Sequence, residues 1–260
     1  MVGPRARAGR ADVGRNDMHG PGGARPSVSV VVPTLNERRN VERLLAGLDP
    51  AYEVVVSDGG SLDGTPDAVR RVRPSSRVVT QGWSRGTSML AGLHAARGDA
   101  LVLLDADGST CPTEVARLVI ALDDADLVRG SRPTRRSVAD AALAAVATAR
   151  LGTRITDPWC GATALRRPVV PRLGLPDLAR HGAGFELLLA FRAAREGLTV
   201  CEVPDVRAAE WHRSFPTSSL TENSRVIRTL LTERRSPFAQ TVPAPRPTVD
   251  GVVPQAYDRS

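Results

Sequence analysis

The sequence predicts an α/β fold: a single Rossmann-like, mostly parallel sheet flanked by helices. Three observations carry that prediction. Short runs rich in Val and Leu alternate with stretches of helical periodicity along residues 27–203, the order that lays strands side by side under helices. The run at 27–32 is almost wholly apolar and that at 101–104 is four apolar residues in a row, as strands covered on both faces are. Acids follow the first, second and fourth runs, at Glu37, Asp58, Asp105 and Asp107. In a parallel sheet these strand ends share one edge, where open α/β sheets bind ligands.

In order along the chain, residues 1–26 hold Gly, Arg and Pro without periodicity and read as a disordered leader. Ser27–Val32 is the first strand, ended by Pro33. After a turn at Thr34–Glu37, a helix over Glu37–Leu48 places Val41, Leu44, Leu45 and Leu48 on one face. Tyr52–Ser57 is the second strand. It runs into Asp58-Gly59-Gly60-Ser61-Leu62-Asp63-Gly64-Thr65 and a helix over Pro66–Val72. Arg77–Thr80 is a short third strand, Gln81–Gly86 a loop and Thr87–Arg97 a helix. The fourth strand is Ala100–Asp105, and a helix over Pro112–Leu122 precedes the fifth, Asp126–Ser131.

The second half is less regular. Val138–Leu151 is an Ala-rich helix expected to pack on the protein rather than on a membrane. Ile155–Arg167 is a loop running into a short strand, and Gly184–Glu196 is a helix carrying Phe185, Leu188, Leu189 and Phe191. Thr199–Val203 is a strand stopped at Pro204, and Thr217–Arg234 is the last helix. One domain therefore spans 27–235, followed by a Pro-rich tail, 236–260, without a core pattern and read as disordered.

The chemistry centres on Leu101-Val102-Leu103-Leu104-Asp105-Ala106-Asp107. In extended chain alternate side chains share a face, so the two carboxylates can point the same way. They repel unless a cation sits between them, and a hard cation with oxygen ligands fits. Magnesium takes one or two carboxylates and fills its shell with substrate phosphates. A strand ending in a polar turn at Asp107-Gly108 is the plainer alternative. Neither the Gly-x-Gly-x-x-Gly fingerprint after the first strand nor a Walker A motif occurs, which argues against a dinucleotide cofactor and a P-loop enzyme.

Composition narrows the partners. The formal charge is +7, every one of the 35 basic residues is Arg, and residues 1–26 supply +3 of the total from five Arg and two Asp. Aromatics make up only 3%, too few for stacking on bases, so nucleic acid is not an expected partner. Cys111, Cys160 and Cys201 are scattered without a Cys-x-x-Cys pair, which indicates neither zinc nor a disulfide framework and fits a reducing, cytoplasmic setting. His94, His181 and His212 lack metal-ligand spacing. The leader has no apolar core of a secretory signal, and no run approaches 18 apolar residues.

Taken together, the motifs resemble the family 2 glycosyltransferases with the GT-A fold. Pro33-Thr34-Leu35-Asn36-Glu37 is similar to their Pro-x-x-Asn-Glu, residues 58–65 to their Asp-Asp-Gly-Ser-x-Asp-Gly-Thr, and Asp105-Ala106-Asp107 to their Asp-x-Asp. The polyprenyl (dolichyl) phosphate mannosyltransferase subgroup is resembled further at Arg85-Gly86-Thr87, Gly130-Ser131-Arg132, Asp157 with Gly161 and Arg166-Arg167, Phe185-Glu186 with Glu202-Val203-Pro204, and Arg213–Leu220. The likeness covers about residues 27–233.

The resemblance implies roles. Pro33, Asn36, Glu37, Asp58, Asp63, Arg85, Gly86, Asp105 and Ala106 would form the nucleotide-sugar site, with Glu37, Asp58 and Asp63 on base and ribose. Asp105 and Asp107, with Ser109 as a weak third ligand, would hold Mg2+ or Mn2+. Arg132 and Arg213 would meet the diphosphate. Glu186 would have an acceptor-side or catalytic role, or would be an ordinary exposed helical glutamate, and Trp159 would line the acceptor site or pack. Asp63 reads equally as a helix N-cap.

Four positions depart from the pattern: Ser109 stands for Gln, Gly59 for the second acid, Pro158-Trp159-Cys160-Gly161-Ala162 for Thr-Ser-Gly-Phe-Arg, and Phe215–Ser219 for Gly-x-Ser. The C-terminal membrane spans of some relatives have no counterpart. The expected activity is inverting, metal-dependent transfer from a nucleoside-diphosphate sugar, of GDP-mannose or UDP-glucose type, to a polyprenyl phosphate. It would take place in the cytoplasm, with peripheral contact at the inner face of the membrane. Transfer to a hydroxyl of a soluble acceptor, with Glu186 or Asp157 as base, is the alternative. A nucleotide-sugar-binding protein without catalysis is the third reading.

Overall fold

A computed structural model of the protein describes residues 26–80, 84–133, 137–209, 211 and 220–232. The predicted leader before 26, the tail 236–260, Arg213 and both ends of the last predicted helix lie outside the described residues.

The described residues form one seven-stranded sheet. Its strands are β1 (Val28–Thr34), β2 (Glu53–Asp58), β3 (Arg77–Thr80), β4 (Ala100–Leu103), β5 (Leu127–Gly130), β6 (Thr163–Arg166) and β7 (Val200–Val203). Their order is β3-β2-β1-β4-β6-β5-β7. Only β6 runs against the rest, pairing antiparallel with β4 and β5. The mostly parallel sheet read from the sequence is therefore present, with one reversed strand. The helices are α1 (Arg38–Gly47), α2 (Thr65–Val72), α3 (Arg85–Ala95), α4 (Glu114–Ile120), α5 (Val138–Leu151), α6 (Leu175–Leu178), α7 (Phe185–Arg195) and α8 (Leu220–Thr232).

Each inner strand is buried on both faces, and its alternate residues feed two cores. Val30, Val32, Val54, Val56 and Val102 pack with Leu44 and Leu45 of α1 and Leu118 of α4. Val31, Val55, Leu101 and Leu103 pack with Met89 of α3, Leu143 of α5, Phe185 and Leu189 of α7 and Leu230 of α8. Each fully buried side chain of this size contributes about 1.5–3 kcal/mol. This burial fixes the register of the strands whose ends carry the acids.

Three predicted boundaries move for physical reasons. Pro33 does not end β1, which continues to Thr34 beside Asp58 of β2. The backbone of Val31 faces β4, whose Leu104 N–H it accepts, and that of Thr34 faces β2, where it accepts from Gly59. Alternation therefore points Pro33 toward β4, beyond the last pair Val31–Leu103. Its missing N–H costs nothing there. Helix α3 begins at Arg85, not Thr87, because Ser84 and Thr87 make a reciprocal capping box. Strand β4 ends at Leu103. Asp105 and Asp107 thus stand around a turn, not at alternate positions of an extended strand.

Candidate active site

A cleft of about 370 Å³ opens at the C-terminal ends of β1, β2 and β4. Loops following those strands give it Pro33, Glu37, Gly59, Asp105, Ala106 and Asp107. The start of α3 gives Arg85, the loop before β6 gives Pro158, Trp159 and Cys160, and α7 gives Glu186.

The loops after β1 and β2 are sewn together by the motif side chains. Asp58 is 1% exposed. Its Oδ1 accepts from the Thr34 hydroxyl at 3.0 Å and the Ser61 hydroxyl at 2.5 Å, and its Oδ2 accepts from the N–H groups of Gly60 at 3.0 Å and Ser61 at 2.8 Å. Those four donors fill a carboxylate's acceptor capacity, so Asp58 acts here as a turn clamp and is not among the cleft residues. Asn36 accepts from the Leu62 N–H at 2.9 Å. Asp63 accepts from Arg38 N–H at 3.0 Å and from both donors of Thr65, tying together the first turns of α1 and α2. The N-cap of α2 is Gly64, without a side-chain cap, so Asp63 stands one residue before it and holds the start of the helix through Thr65. Neither Asn36 nor Asp63 lines the cleft.

What faces the cleft is acidic. Burial raises the Glu37 carboxyl above the usual carboxylate range. The Asn40 amide, at 2.7 Å, opposes that shift, and the charges of Asp107, Asp105 and Asp63 add to it. Against these acids stands Arg85. Its Nη1 and Nη2 donate to Glu186 at 2.8 and 2.5 Å, and Nη2 also donates to Asp105 Oδ1 at 2.6 Å. Burial alone would lower the Arg85 pKa, but the two carboxylates raise it well above its ordinary value. Burial pushes the Glu186 carboxyl up, and the Arg85 fork opposes this without cancelling it. Arg85 therefore holds Asp105 and the buried Glu186 in one ionic triad.

One glycine makes room for that triad, and a second lets the helix that carries Arg85 pack closely. A Cβ on Gly161 would lie 2.0 Å from Asp105 Oδ2 and 3.1 Å from Arg85 Nη2, and one on Gly86 would lie 2.2 Å from the Ala179 carbonyl oxygen. Gly86 thus serves close packing of α3 against residues 179–184 and does not line the cleft.

The loop before β6 rests on two arginines. Arg132 donates to Asp157 through Nε at 2.7 Å and Nη2 at 3.4 Å. Burial opposes the charge on Arg132, Asp157 favours it, and the net shift is upward. Arg129 is fully buried, and its Nη2 donates to the carbonyls of Asp157, Pro158 and Cys160. Burial pushes the Cys160 thiol up to about 12, so this cleft residue is a wall and not a nucleophile.

Among the described residues no three His, Cys, Asp or Glu side chains form a ready-made metal cage. Asp105 and Asp107 on one cleft fit a hard divalent cation that draws its other ligands from substrate phosphates and water. Ser109 is buried, and its backbone N–H donates to Asp107 Oδ1 at 2.8 Å. It orients that carboxylate and does not line the cleft.

The Arg85–Glu186 pairing was not read from the sequence. The usable signal was an acid inside the apolar run Phe185–Phe191, where a buried charge needs a partner.

The sequence pattern of Glycosyl transferase family 2 matches residues 29–166. A polyprenol monophosphomannose synthase of Mycolicibacterium smegmatis is 34% identical over 203 residues, covering 67% of this chain and 75% of that protein. An undecaprenyl-phosphate mannosyltransferase of Micrococcus luteus is 35% identical over 198 residues, covering 68% and 82%. Glucosyl-3-phosphoglycerate synthase of Mycobacterium tuberculosis, solved with Mn2+, UDP and phosphoglyceric acid, shares the fold with a TM-score of 0.60 and 28% identity over 79% of this chain and 76% of that one.

Proposed function

The chain belongs to glycosyl transferase family 2, and we propose that within this family it moves a sugar from a nucleoside-diphosphate sugar, of GDP-mannose or UDP-glucose type, to a polyprenyl phosphate with inversion at C1. The observation that carries the reading is that both candidate bases are held by arginine: Glu186 in the fork of Arg85, Asp157 in that of Arg132. A hydroxyl acceptor must give its proton to a free base within reach. A phosphate acceptor is already an anion and needs none. Its oxygen bonds to C1 on the face opposite the leaving group. The C1–O bond to the diphosphate breaks, and the nucleoside diphosphate departs with the electron pair.

Glu37 would accept from the base or ribose, with Pro33 and Ala106 as walls. Asp105 and Asp107 would hold Mg2+ or Mn2+, which when bound neutralises charge on the departing diphosphate. Arg85 keeps Asp105 aimed into the cleft. Arg132 and, outside the described residues, Arg213 remain the diphosphate contacts that the family resemblance implies. A polyprenyl acceptor would bring the protein to the inner face of a membrane by peripheral contact. Among the described residues no helix is long and apolar enough to cross one.

A second reading is transfer to a hydroxyl of a soluble, phosphorylated small acid. It is favoured by the likeness to the synthase solved with phosphoglyceric acid.

The donor half is tested by melting the protein with GDP, UDP, GDP-mannose and UDP-glucose, each with and without Mn2+. A ligand at 100 times its Kd adds about 2.7 kcal/mol, or roughly 5–11 °C for a domain of this size. A Mn2+-dependent shift with one base is expected, and no shift with any of them would refute the donor site.

A further inference from the structure

We propose that Arg85 makes the divalent-cation site conditional on the nucleotide: its guanidinium holds Asp105 against a free cation and yields the carboxylate when a nucleoside diphosphate arrives. The inference rests on the donor-site reading above and adds the residue that couples its two ligands. Arg85 and the cation compete for one group. Nη2 of Arg85 stands 2.6 Å from Asp105 Oδ1, an oxygen of the kind a hard cation takes as ligand. The other oxygen, Oδ2, lies against Gly161, where a Cβ would come within 2.0 Å of it. Asp105 therefore has one oxygen on a guanidinium and the other against the main chain, and a cation that takes it must displace Arg85 or share with it.

The arginine has a second place to rest. Arg85 is the first residue of α3, where its charge faces the positive end of the helix macrodipole. Two acids offset that: Asp105, and Glu186 at 2.8 and 2.5 Å. They differ in exposure. Asp105 is 23% exposed in the cleft and Glu186 only 3%. A buried carboxylate needs its partner, so Glu186 keeps Arg85 when Asp105 is taken. The main chain under Arg85 is fixed as well. The Ser84–Thr87 capping box and the close approach of Gly86 to the Ala179 carbonyl oxygen hold the first turn of α3. Exchange of partners needs only that the guanidinium let go of Asp105.

A diphosphate reconciles the two positive charges. Arg85 lines the cleft, and releasing Asp105 frees one of its N–H donors for a phosphate oxygen. Phosphate oxygens also complete the shell of a hard cation. Without nucleotide, guanidinium and cation repel each other across one carboxylate. With it, the added negative charge holds both. Binding of cation and nucleotide is therefore coupled, and each tightens the other by the same factor.

The test uses the full chain with Mn2+ alone and with Mn2+ plus GDP or UDP. Mn2+ affinity is read by calorimetry and by the paramagnetic resonance of free Mn2+. Arg85→Met/Glu186→Met removes the guanidinium and its buried acid together and leaves the net charge of the cleft unchanged. Replacing a buried ion pair by apolar residues of similar volume is often neutral for stability. This variant should bind Mn2+ alone about 5–150-fold more tightly than the parent, the usual span of a coupling between two sites. The factor by which nucleotide tightens Mn2+ should shrink to match. Arg85→Gln, which keeps an N–H donor towards Glu186, should act in the same direction and decides the matter if the double variant does not fold. The control, Arg38→Gln, removes an exposed arginine next to Glu37 in the chain. It should change Mn2+ affinity by less than about twofold, because exposed charges are screened.

Mn2+ alone bound no more tightly by the folded variants, an unchanged nucleotide factor, or an equal gain in Arg38→Gln would overturn the proposal. If the parent binds neither GDP nor UDP, with or without Mn2+, the donor-site reading fails. Mn2+ titrated alone then still decides the role of Arg85: affinity gained in the double variant and not in Arg38→Gln supports its hold on Asp105, and no gain overturns it.

Discussion

Glu186→Gln separates a positioning acid from a catalytic base. The side chain is 3% exposed and meets Arg85 through two contacts, 2.8 and 2.5 Å. Glutamine keeps the shape, but one carboxylate oxygen becomes an N–H facing an N–H of Arg85. Removing one partner of a buried pair costs about 3–5 kcal/mol when the other charge is left alone. Here Asp105, at 2.6 Å, still compensates Arg85, so the cost is that of one charge-assisted hydrogen bond, about 2–3 kcal/mol. At roughly 2–4 °C per kcal/mol for a domain of this size, Tm should fall by about 4–12 °C. With polyprenyl phosphate as acceptor, kcat/KM should fall by no more than about tenfold, 1.4 kcal/mol of transition-state stabilisation. A general base contributes about 10²–10⁴-fold. The assay is kcat/KM across pH on parent and variant, run well below the variant's Tm. A loss near a thousandfold in folded protein, with the acidic limb of the profile gone, would refute the reasoning and make Glu186 a base.

Other perturbations follow from the same geometry. Asp107→Asn should abolish the Mn2+-dependent part of the nucleotide melting shift while leaving the ligand-free Tm within about 2 °C; a retained shift would place the cation elsewhere. Gly161→Ala drives a methyl to within 2.0 Å of Asp105 Oδ2. It should cost about 1–3 kcal/mol by overpacking and weaken donor binding, read as a higher donor KM. Gly86→Ala meets the Ala179 carbonyl oxygen at 2.2 Å and should lower Tm at least as much, with the donor KM unchanged in the surviving folded protein. Asp99 accepts from the Ser27 hydroxyl and backbone N–H, which hold its carboxyl below the ordinary value of 3.8. The unfolded chain therefore binds this proton more readily, and the stability Asp99 adds is present above that value and lost as pH falls through the folded one. Asp99→Asn should flatten the fall of Tm below about pH 4, and an unchanged slope would contradict the linkage.

Much of this fold could be read along the chain, because β1, β2 and β4 are valine- and leucine-rich runs buried on both faces and α1 repeats its apolar residues at helical spacing. The segment 167–184 could not be read. It folds as short helical turns through Pro168, Pro171, Gly174, Pro176 and Gly182, each too brief to show a period, and tertiary packing on α3 and α7 sets its path. At the site, the acids of the cleft were legible as carboxylates at strand ends. Their partners were not: Arg85 and Glu186 are 101 residues apart, and pairing at that separation exists only once the sheet has formed. Asp58 shows the converse case. Its acidity suggested a ligand, yet the hydroxyls and N–H groups that fill it come from Thr34, Gly60 and Ser61, residues that read simply as strand end and turn.

The most direct test of sugar transfer to a phosphate is a paired assay by mass spectrometry. The protein is incubated with Mn2+ and GDP-mannose or UDP-glucose, and with either a polyprenyl phosphate or the polyprenol of the same length. The account predicts a glycosylated polyprenyl phosphate and released nucleoside diphosphate in the first case and no product in the second. Product from the alcohol, or from a soluble hydroxyl acceptor while the polyprenyl phosphate stays untouched, would contradict it.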